Sequence, residues 1–204
     1  MIGTNRYIGS PVERVEDFRF LRGRGEFVGD LRREGMLHAA ILRSPMAHGR
    51  IHNLDAAAAR VIPGVRAVIT AAEIGAVPRI PLRLLPLPGT ERFLQPVIAA
   101  DRVRYVGEPI AVVLADSAAV AEDGVGAIAL DIEELRPVAD RRASGKNEIL
   151  LFQEVGTNRA MTFTAVSGDA DTAFREAEYT RRERFSVQRH TALPMEPFPP
   201  PDLK

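Results

Sequence analysis

Hydrophobic and polar positions are most sharply ordered between Arg102 and Asp131, RVRYVGEPIAVVLADSAAVAEDGVGAIALD. Ile110 to Ala115 is an unbroken apolar run rich in β-branched residues, the pattern of a strand covered on both faces. Pro109 has no N–H and drives Glu108 away from the helical region, so the approach to that strand is extended. Asp116 and Ser117 follow, both suited to capping a helix N-terminus. Ala121, Gly124, Val125 and Ile128 then recur at helical spacing, with Glu122 and Asp123 on the opposite side. A second apolar run, Ile128 to Ile132, closes the unit. Strand, helix and strand with a connection of this length predict a right-handed βαβ unit with parallel strands.

A similar order occurs upstream. Met36 to Leu42 (MLHAAIL) predicts a strand ending in the turn Arg43-Ser44-Pro45, and Gly49 to Leu54 predicts a second. Asp55 is placed to cap a short helix, AAAARVI, which Pro63-Gly64 terminates, and Val65 to Thr70 is another β-branched strand. Two such units interleaved with extra strands predict a mixed sheet with helices packed on it, an α+β domain. Met1 to Arg22 has no period and reads as an extended arm. GRGEFVGDL (Gly23 to Leu31) invites comparison with a dinucleotide fingerprint, but Gly29 falls one place late for G-x-G-x-x-G. The segment reads instead as a glycine-bearing turn leading into a short strand. Pro78 to Pro96 holds five prolines with leucines between them and predicts an ordered, irregular connection laid on a surface.

Past Pro137 the pattern changes. Arg141 to Asn147 (RRASGKN) is small, polar and broken by Gly145, as expected of a linker open to proteolysis. Beyond it, Ala160 to Val166 reads as a strand, and Gly168-Asp169 open a short helix with Ala170, Ala173, Phe174 and Ala177 on one face. Tyr179 to Gln188 (YTRRERFSVQ) alternates like a half-exposed strand. HTALPMEPFPPPDLK then ends the sequence without the apolar segments that would complete a core, so residues 148–204 are expected to be poorly stabilised. The resulting division is an arm over 1–13, a domain over 14–140, a linker over 141–147 and an incomplete second domain over 148–204.

Composition narrows the function classes. The chain is 46% apolar and 26% charged with zero formal net charge, so no global field draws in nucleic acid or an anionic membrane. Lysine occurs only at Lys146 and Lys204, and the arginines are scattered without forming a basic stripe. With no cysteine, the chain itself has no disulfide, thiolate zinc site, cysteine nucleophile or iron–sulfur ligand. No apolar segment reaches membrane-spanning length and the N-terminus has no apolar leader, so the expected setting is cytoplasmic.

The candidate chemistry is thin. His48 and His52 stand at i, i+4, but Gly49 lies between them, and in an extended segment the rings sit about 13 Å apart. They read as turn or surface histidines, and His38, inside an apolar strand, as a core or boundary residue. Ser44, His48 and Asp55 contain the residue types of a catalytic triad without the G-x-S-x-G elbow. Glu133 and Glu134 point to opposite sides of a strand end and cannot jointly clasp a substrate. Glu108, after Gly107, reads as a structural carboxylate that caps the turn or pairs with an arginine. No P-loop is present.

Six blocks, in order, carry a resemblance that no single block carries alone. They are RVEDFRFLRGRGEFVGDL (Arg14 to Leu31), MLHAAILRSPMAHGRI (Met36 to Ile51), PGVRAVITAAEI (Pro63 to Ile74), RVRYVGEPIAVVLAD (Arg102 to Asp116), AVAEDGVGAIALDIEELRPVAD (Ala119 to Asp140) and RFSVQRHTALPMEP (Arg184 to Pro197). Together they resemble the N-terminal part of the molybdopterin-binding large subunit of the xanthine dehydrogenase and aldehyde oxidase family, in its carbon monoxide dehydrogenase-like bacterial form.

That resemblance implies an α/β hammerhead domain over 14–140, then the opening of the first molybdopterin-binding domain. It also implies an oxidoreductase that hydroxylates aldehydes, purines or CO with water as oxygen source, through a molybdenum cofactor. Its partners would be an FAD-binding medium subunit and a 2Fe–2S small subunit. In the family, the glycine-rich cofactor segments and the active-site glutamate lie downstream of the PMEP block, which is Pro194 to Pro197 here. No catalytic, cofactor-binding or metal residue is therefore carried onto this chain, which is expected to bind no molybdopterin alone and not to be catalytic by itself. The family pattern departs after Pro197, at FPPPDLK, as a frameshift or a shortened reading frame would produce. The alternative is a non-catalytic module that docks FAD or iron–sulfur subunits through the arm and the leucine–proline connection.

Overall fold

A computed structural model describes residues 8–9, 11–82 and 87–188. The Met1 to Tyr7 part of the arm, the Arg83 to Pro86 part of the proline-rich connection, and the PMEP block with the prolines after it lie outside the described residues. Two compact units emerge, residues 36–176 and residues 1–35 with 177–204.

The larger unit is built on two three-stranded antiparallel sheets. In chain order its first elements are β1 (His38–Arg43), β2 (Gly49–Asp55), α2 (Ala57–Arg60), β3 (Val65–Thr70) and α3 (Ala71–Ile74); α1 belongs to the smaller unit. Next come β4 (Arg102–Val103), β5 (Pro109–Ala115), α4 (Ala118–Gly126) and β6 (Ala129–Glu134). One sheet has the order β1-β5-β3 and the other β4-β2-β6.

Helices form where the sequence supplies caps. The Ser117 Oγ accepts from the Val120 N–H at 3.2 Å and starts α4. Thr70 and Glu73 make a reciprocal capping box for α3, a helix the hydrophobic pattern did not announce. Asp55 accepts from the Ala57 N–H at 2.8 Å, one residue ahead of the N-cap of α2.

Strand β5 is the centre, and its apolar run has the expected cause. Ala111, Val113 and Ala115 are fully buried. Ala111 and Val113 join Ala56, Ala59, Val68 and Ile128 in one core cluster, while Ala115 packs with Ala40 and Ala121. Ile110, on the other face, packs with Ala99 and Val103 towards the second sheet. Burying a side chain such as Ile110 stabilises the fold by about 1.5–3 kcal/mol.

The expected parallel βαβ units do not form. The order strand, helix, strand stands, but β5 and β6 enter different sheets, and so do β2 and β3. Both edges of β5 are taken by antiparallel neighbours, with Ala115 opposite His38 on one side and Val65 on the other. No edge is left for β6, which instead pairs with β2 from Gly49↔Glu134 to Asp55↔Ala129. Every strand pair among the described residues is antiparallel. The single mixed sheet is thus replaced by two antiparallel ones.

Other expectations also change. The arm contains one helical turn, α1 (Asp17–Leu21), and the strand expected after Gly23 is a 3-10 turn, Val28–Asp30, whose Asp30 carboxylate accepts from the Phe27 N–H. Arg141 to Asn147 folds as α5 (Arg141–Ser144), capped by Asp140 at the N–H groups of Arg142 and Ala143. The expected helix after Gly168 is present as α6 (Ala170–Glu176), where Asp169 accepts from the Thr172 N–H at 3.1 Å. Ala160 to Val166 and Tyr179 to Gln188 are not strands; both are exposed, non-helical chain. A strand needs a neighbour to satisfy its backbone, and none lies beside either segment among the described residues.

Candidate functional site

The densest cluster of buried polar side chains lies around the YVGEP turn. Gly107 has φ 88°, a left-handed conformation that a side chain resists, and it reverses the chain between β4 and β5. The turn is clasped to the end of β1: the Gly107 N–H donates to the Ser44 carbonyl at 2.8 Å, and the Ser44 N–H donates to the Glu108 carbonyl at 2.9 Å. Arg43 Nη1 donates to the Gly107 carbonyl at 2.9 Å.

This clasp carries the Glu108 side chain inward, where the residue is 1% exposed. Its Oε2 accepts from the Arg104 N–H, while Oε1 has no hydrogen-bond partner among the described residues. Burial pushes the Glu108 carboxyl above the usual glutamate range, against the opposing pull of the Arg104 N–H and the Arg104 charge. The expected capping role is met in part.

Beside it, two arginines hold the segment after α5. Arg104 Nε donates to the Leu151 carbonyl at 2.8 Å, and its guanidinium lies 4.4 Å from the Phe152 ring centroid. Burial lowers the pKa of Arg104. Phe152 meets Phe93 edge-on at 5.5 Å. Arg102 Nη2 donates to Gln153 Oε1 at 3.2 Å, and its Nη1 faces His48 Nε2 at 3.5 Å. His48 Nδ1 lies 2.9 Å from the Arg136 carbonyl, which can only accept, so Nδ1 carries the hydrogen. Asn158 ties off the loop by donating to the Ser144 and Ile149 carbonyls and accepting from the Leu151 N–H. The whole is a clamp in which both guanidiniums donate to protein acceptors.

His48 corrects the expectation of a surface histidine: it is 3% exposed and bonded on both ring nitrogens. His52 is exposed, with Nε2 at 3.2 Å from Glu133 Oε2, so the two histidines share no metal site. His38 is half-buried on β1, and His190 lies outside the described residues. Ser44 Oγ is occupied by the backbone of Met46, and Asp55 accepts from the Ala57 N–H, so Ser44, His48 and Asp55 do not form a triad. Among the described residues, no group of three or more His, Asp or Glu side chains is placed to hold a metal. The roles of Arg102, Arg104 and Gln153 escaped the sequence; the one signal was two arginines alternating about Val103 just before a buried carboxylate.

A second feature is an open groove of 710 Å³ between β2, α2, α3 and residues Ala99-Ala100. Its walls carry Asp55, Arg60 and Glu73 over an apolar floor that includes Ile51, Leu54 and Ile110. Glu73 is held at a pKa of about 2 by the Thr70 hydroxyl, then by Arg60 and the Thr70 N–H. No nucleophile and base are paired there.

A hammerhead model described as aldehyde oxidase and xanthine dehydrogenase matches residues 22–136, which contain both sheets and the YVGEP turn. The chain belongs to that family. It is 38% identical over 193 residues to the nicotine 6-hydroxylase large subunit of Paenarthrobacter nicotinovorans, covering 95% of this chain and 24% of that protein. It is also 38% identical over 125 residues to the carbon monoxide dehydrogenase large chain of Hydrogenophaga pseudoflava, covering 61% of this chain and 15% of that one. Among solved structures, quinoline 2-oxidoreductase from Pseudomonas putida 86 superposes with a TM-score of 0.57 at 40% identity, over 69% of this chain and 18% of that chain. The chain spans about a quarter of the length of curated relatives that it matches over nearly its whole length. Among the described residues, no helix is long and apolar enough to cross a membrane.

Neither the clamp nor the groove fits the family's molybdenum cofactor. An anionic pterin phosphate needs free donors, but Arg102 and Arg104 are held by Gln153, Leu151 and Phe152. The groove, in turn, presents the carboxylates of Asp55 and Glu73.

Proposed function

We propose that this chain forms the hammerhead part of a molybdenum hydroxylase large subunit and serves as scaffold. The hammerhead covers residues 14–140, and 148–204 open the first molybdopterin-binding domain. The parent enzyme is a cytoplasmic oxidoreductase in which the molybdenum cofactor supplies metal-centred hydroxylation with water as oxygen source. Electrons leave through an FAD-binding subunit and a 2Fe–2S subunit. The observation that carries this reading is the family match over residues 22–136, coincident with the two-sheet core. The clamp supports a scaffold role, because it spends buried charge on fixing residues 147–158 against the hammerhead.

The test is elemental. Purified chain alone is expected to hold no molybdenum, whereas a chimera with this chain in place of the matched quarter of the nicotine 6-hydroxylase large subunit is expected to hold it. Stoichiometric molybdenum in the chain alone, or a metal-free chimera, overturns the proposal.

A second reading is an interaction module that docks FAD or iron–sulfur subunits. It is favoured by the exposed Phe18, Phe20 and Phe27, with Arg22 over Phe18 and Arg19 over Phe20 at 4.3 and 4.8 Å, since aromatic and arginine side chains dominate interface energetics. Co-purification with such subunits supports it, and a solitary monomer in their presence removes it.

A further inference from the structure

The carboxyl group of Glu108 sits in the clamp half-bonded. The residue is buried, its Oε2 accepts from the Arg104 N–H, and its Oε1 has no hydrogen-bond partner among the described residues. A buried carboxylate with a bare oxygen is costly, and either a proton or a cation relieves the cost. The cation that acts on it is Arg104, whose guanidinium is engaged elsewhere. It donates to the Leu151 carbonyl, lies over the Phe152 ring and stands 3.8 Å from Glu154. One guanidinium therefore has two claimants, and the charge on Glu108 decides between them.

The other charged groups around Glu108 leave that choice to Arg104. Asp101 disfavours its ionisation, and the Tyr105 phenol, pushed up by burial and then by the Glu108 charge, stays neutral. From the end of β1, Arg43 is committed to the Gly107 carbonyl, and Arg102 is turned to Gln153 and His48.

We propose that Glu108 is a proton-operated latch on residues 147–158: neutral, it leaves Arg104 to hold that segment, and ionised, it draws the guanidinium off Leu151 and Phe152 and lets the segment go. Burial favours the neutral form, so the segment is held at low pH and released as pH rises through the raised value. An opening coupled to loss of one proton shifts by up to about tenfold per pH unit. His48 gives the opposite sign. Its Nε2 can accept from Arg102 Nη1 only while unprotonated, so a switch at His48 would loosen the clamp as pH falls.

The test is hydrogen exchange on the full chain, followed by NMR from below to above the ordinary glutamate range and corrected for intrinsic rates. The reporters are the amides of Leu151, Val155 and Gly156, which donate to Asn158 Oδ1 and to the Phe152 and Gln153 carbonyls, together with the Arg104 Nε–H. Their protection is expected to fall with rising pH, while the amides of Val112 to Leu114 on β5 stay slow. Glu108→Gln keeps the shape of the neutral acid and is expected to hold the reporters protected at every pH. Arg104→Met is expected to leave the three amides weakly protected at every pH.

Flat protection in the unaltered chain, a slope that survives either substitution, loosening as pH falls, or β5 opening together with the segment each overturns the latch. If Glu108→Gln loses the β5 protection, and so the fold, the unaltered chain and Arg104→Met decide between them. The molybdenum content of the chimera is independent of all these outcomes, so the large-subunit reading stands or falls separately.

Discussion

Two glycines of α4, two residues apart, are expected to respond oppositely to the same substitution. A Cβ on Gly124 would lie 2.7 Å from Val113 Cγ1 and 3.3 Å from Val65 Cγ2. Ordinary carbon contacts sit at about 3.5–4.0 Å, so the helix or Val113 must move by on the order of 1 Å. Val113 is fully buried and stiff at χ1, so it cannot swing aside cheaply. Overpacking of this kind costs about 1–3 kcal/mol, against which alanine returns about 1 kcal/mol of helix propensity. A Cβ on Gly126 meets nothing within 4 Å, so only the propensity gain remains there. Gly124→Ala should therefore be less stable than Gly126→Ala by about 1–3 kcal/mol.

The chain has no tryptophan, so urea unfolding is best followed by far-ultraviolet circular dichroism. With a slope of about 1–3 kcal/mol per molar urea, the two midpoints should separate by on the order of 1 M. Gly124→Ala at or above wild type, with Gly126→Ala below it, would refute the close packing of α4 on β5.

Three further outcomes follow from the site. Glu108 has a raised folded pKa, so its stabilising share is complete below the ordinary glutamate value and lost as pH rises through the higher folded value. Glu108→Gln should abolish that fall in a pH series of urea midpoints, and parallel curves for variant and wild type would sink the assignment. Glu73 works in the opposite sense: its contribution is present above the ordinary glutamate value and lost as pH falls through about 2, so a carboxyl NMR titration should find its midpoint there. Arg60→Ala should move that midpoint upward; an unmoved midpoint would leave the whole shift to Thr70. Trypsin should cut first after Arg181, Arg182 or Arg184 in exposed chain, and not after Arg141, Arg142 or Lys146 as the linker composition implied, because Asp140 caps that turn and Asn158 braces it. Mass spectrometry of early fragments decides between the two, and Asn158→Ala should restore cutting near Lys146.

The strands β1, β2, β3, β5 and β6 were legible because their signal is local. The β-branched run of β5, the Ser117 cap and the Pro63-Gly64 stop each act within a few residues. Sheet partnership was not, because an apolar run reports that both faces of a strand are covered and says nothing about which strands take its edges. The helix between β5 and β6 was therefore mistaken for a crossover within one sheet. His48 misled for a similar reason. Gly49 and the Pro45 turn mark a surface bend, yet the acceptor that buries the imidazole is the Arg136 carbonyl, remote in sequence. The partners of Arg102 and Arg104 are equally remote, at Gln153 and Leu151, so the clamp left only the alternation around Val103 as a trace. Tyr179 to Val187 shows the reverse case, a strand pattern that no ladder among the described residues takes up.

The exchange of strands between the two sheets bears on how the molecule forms. Each sheet interleaves distant stretches: β1 and β3 await β5, and β2 awaits β4 and β6. Neither sheet can be finished as the chain emerges from the ribosome until Ala115 and Glu134 respectively have been made. Nucleation must close long loops before the ladders compensate the lost chain entropy, which places this domain among the slow, high-contact-order folders. Because α2 and α4 each link one sheet to the other, the two halves rise and fall together as a single cooperative unit. A chain cut before β5 would hold four of the six strands and neither ladder of the first sheet.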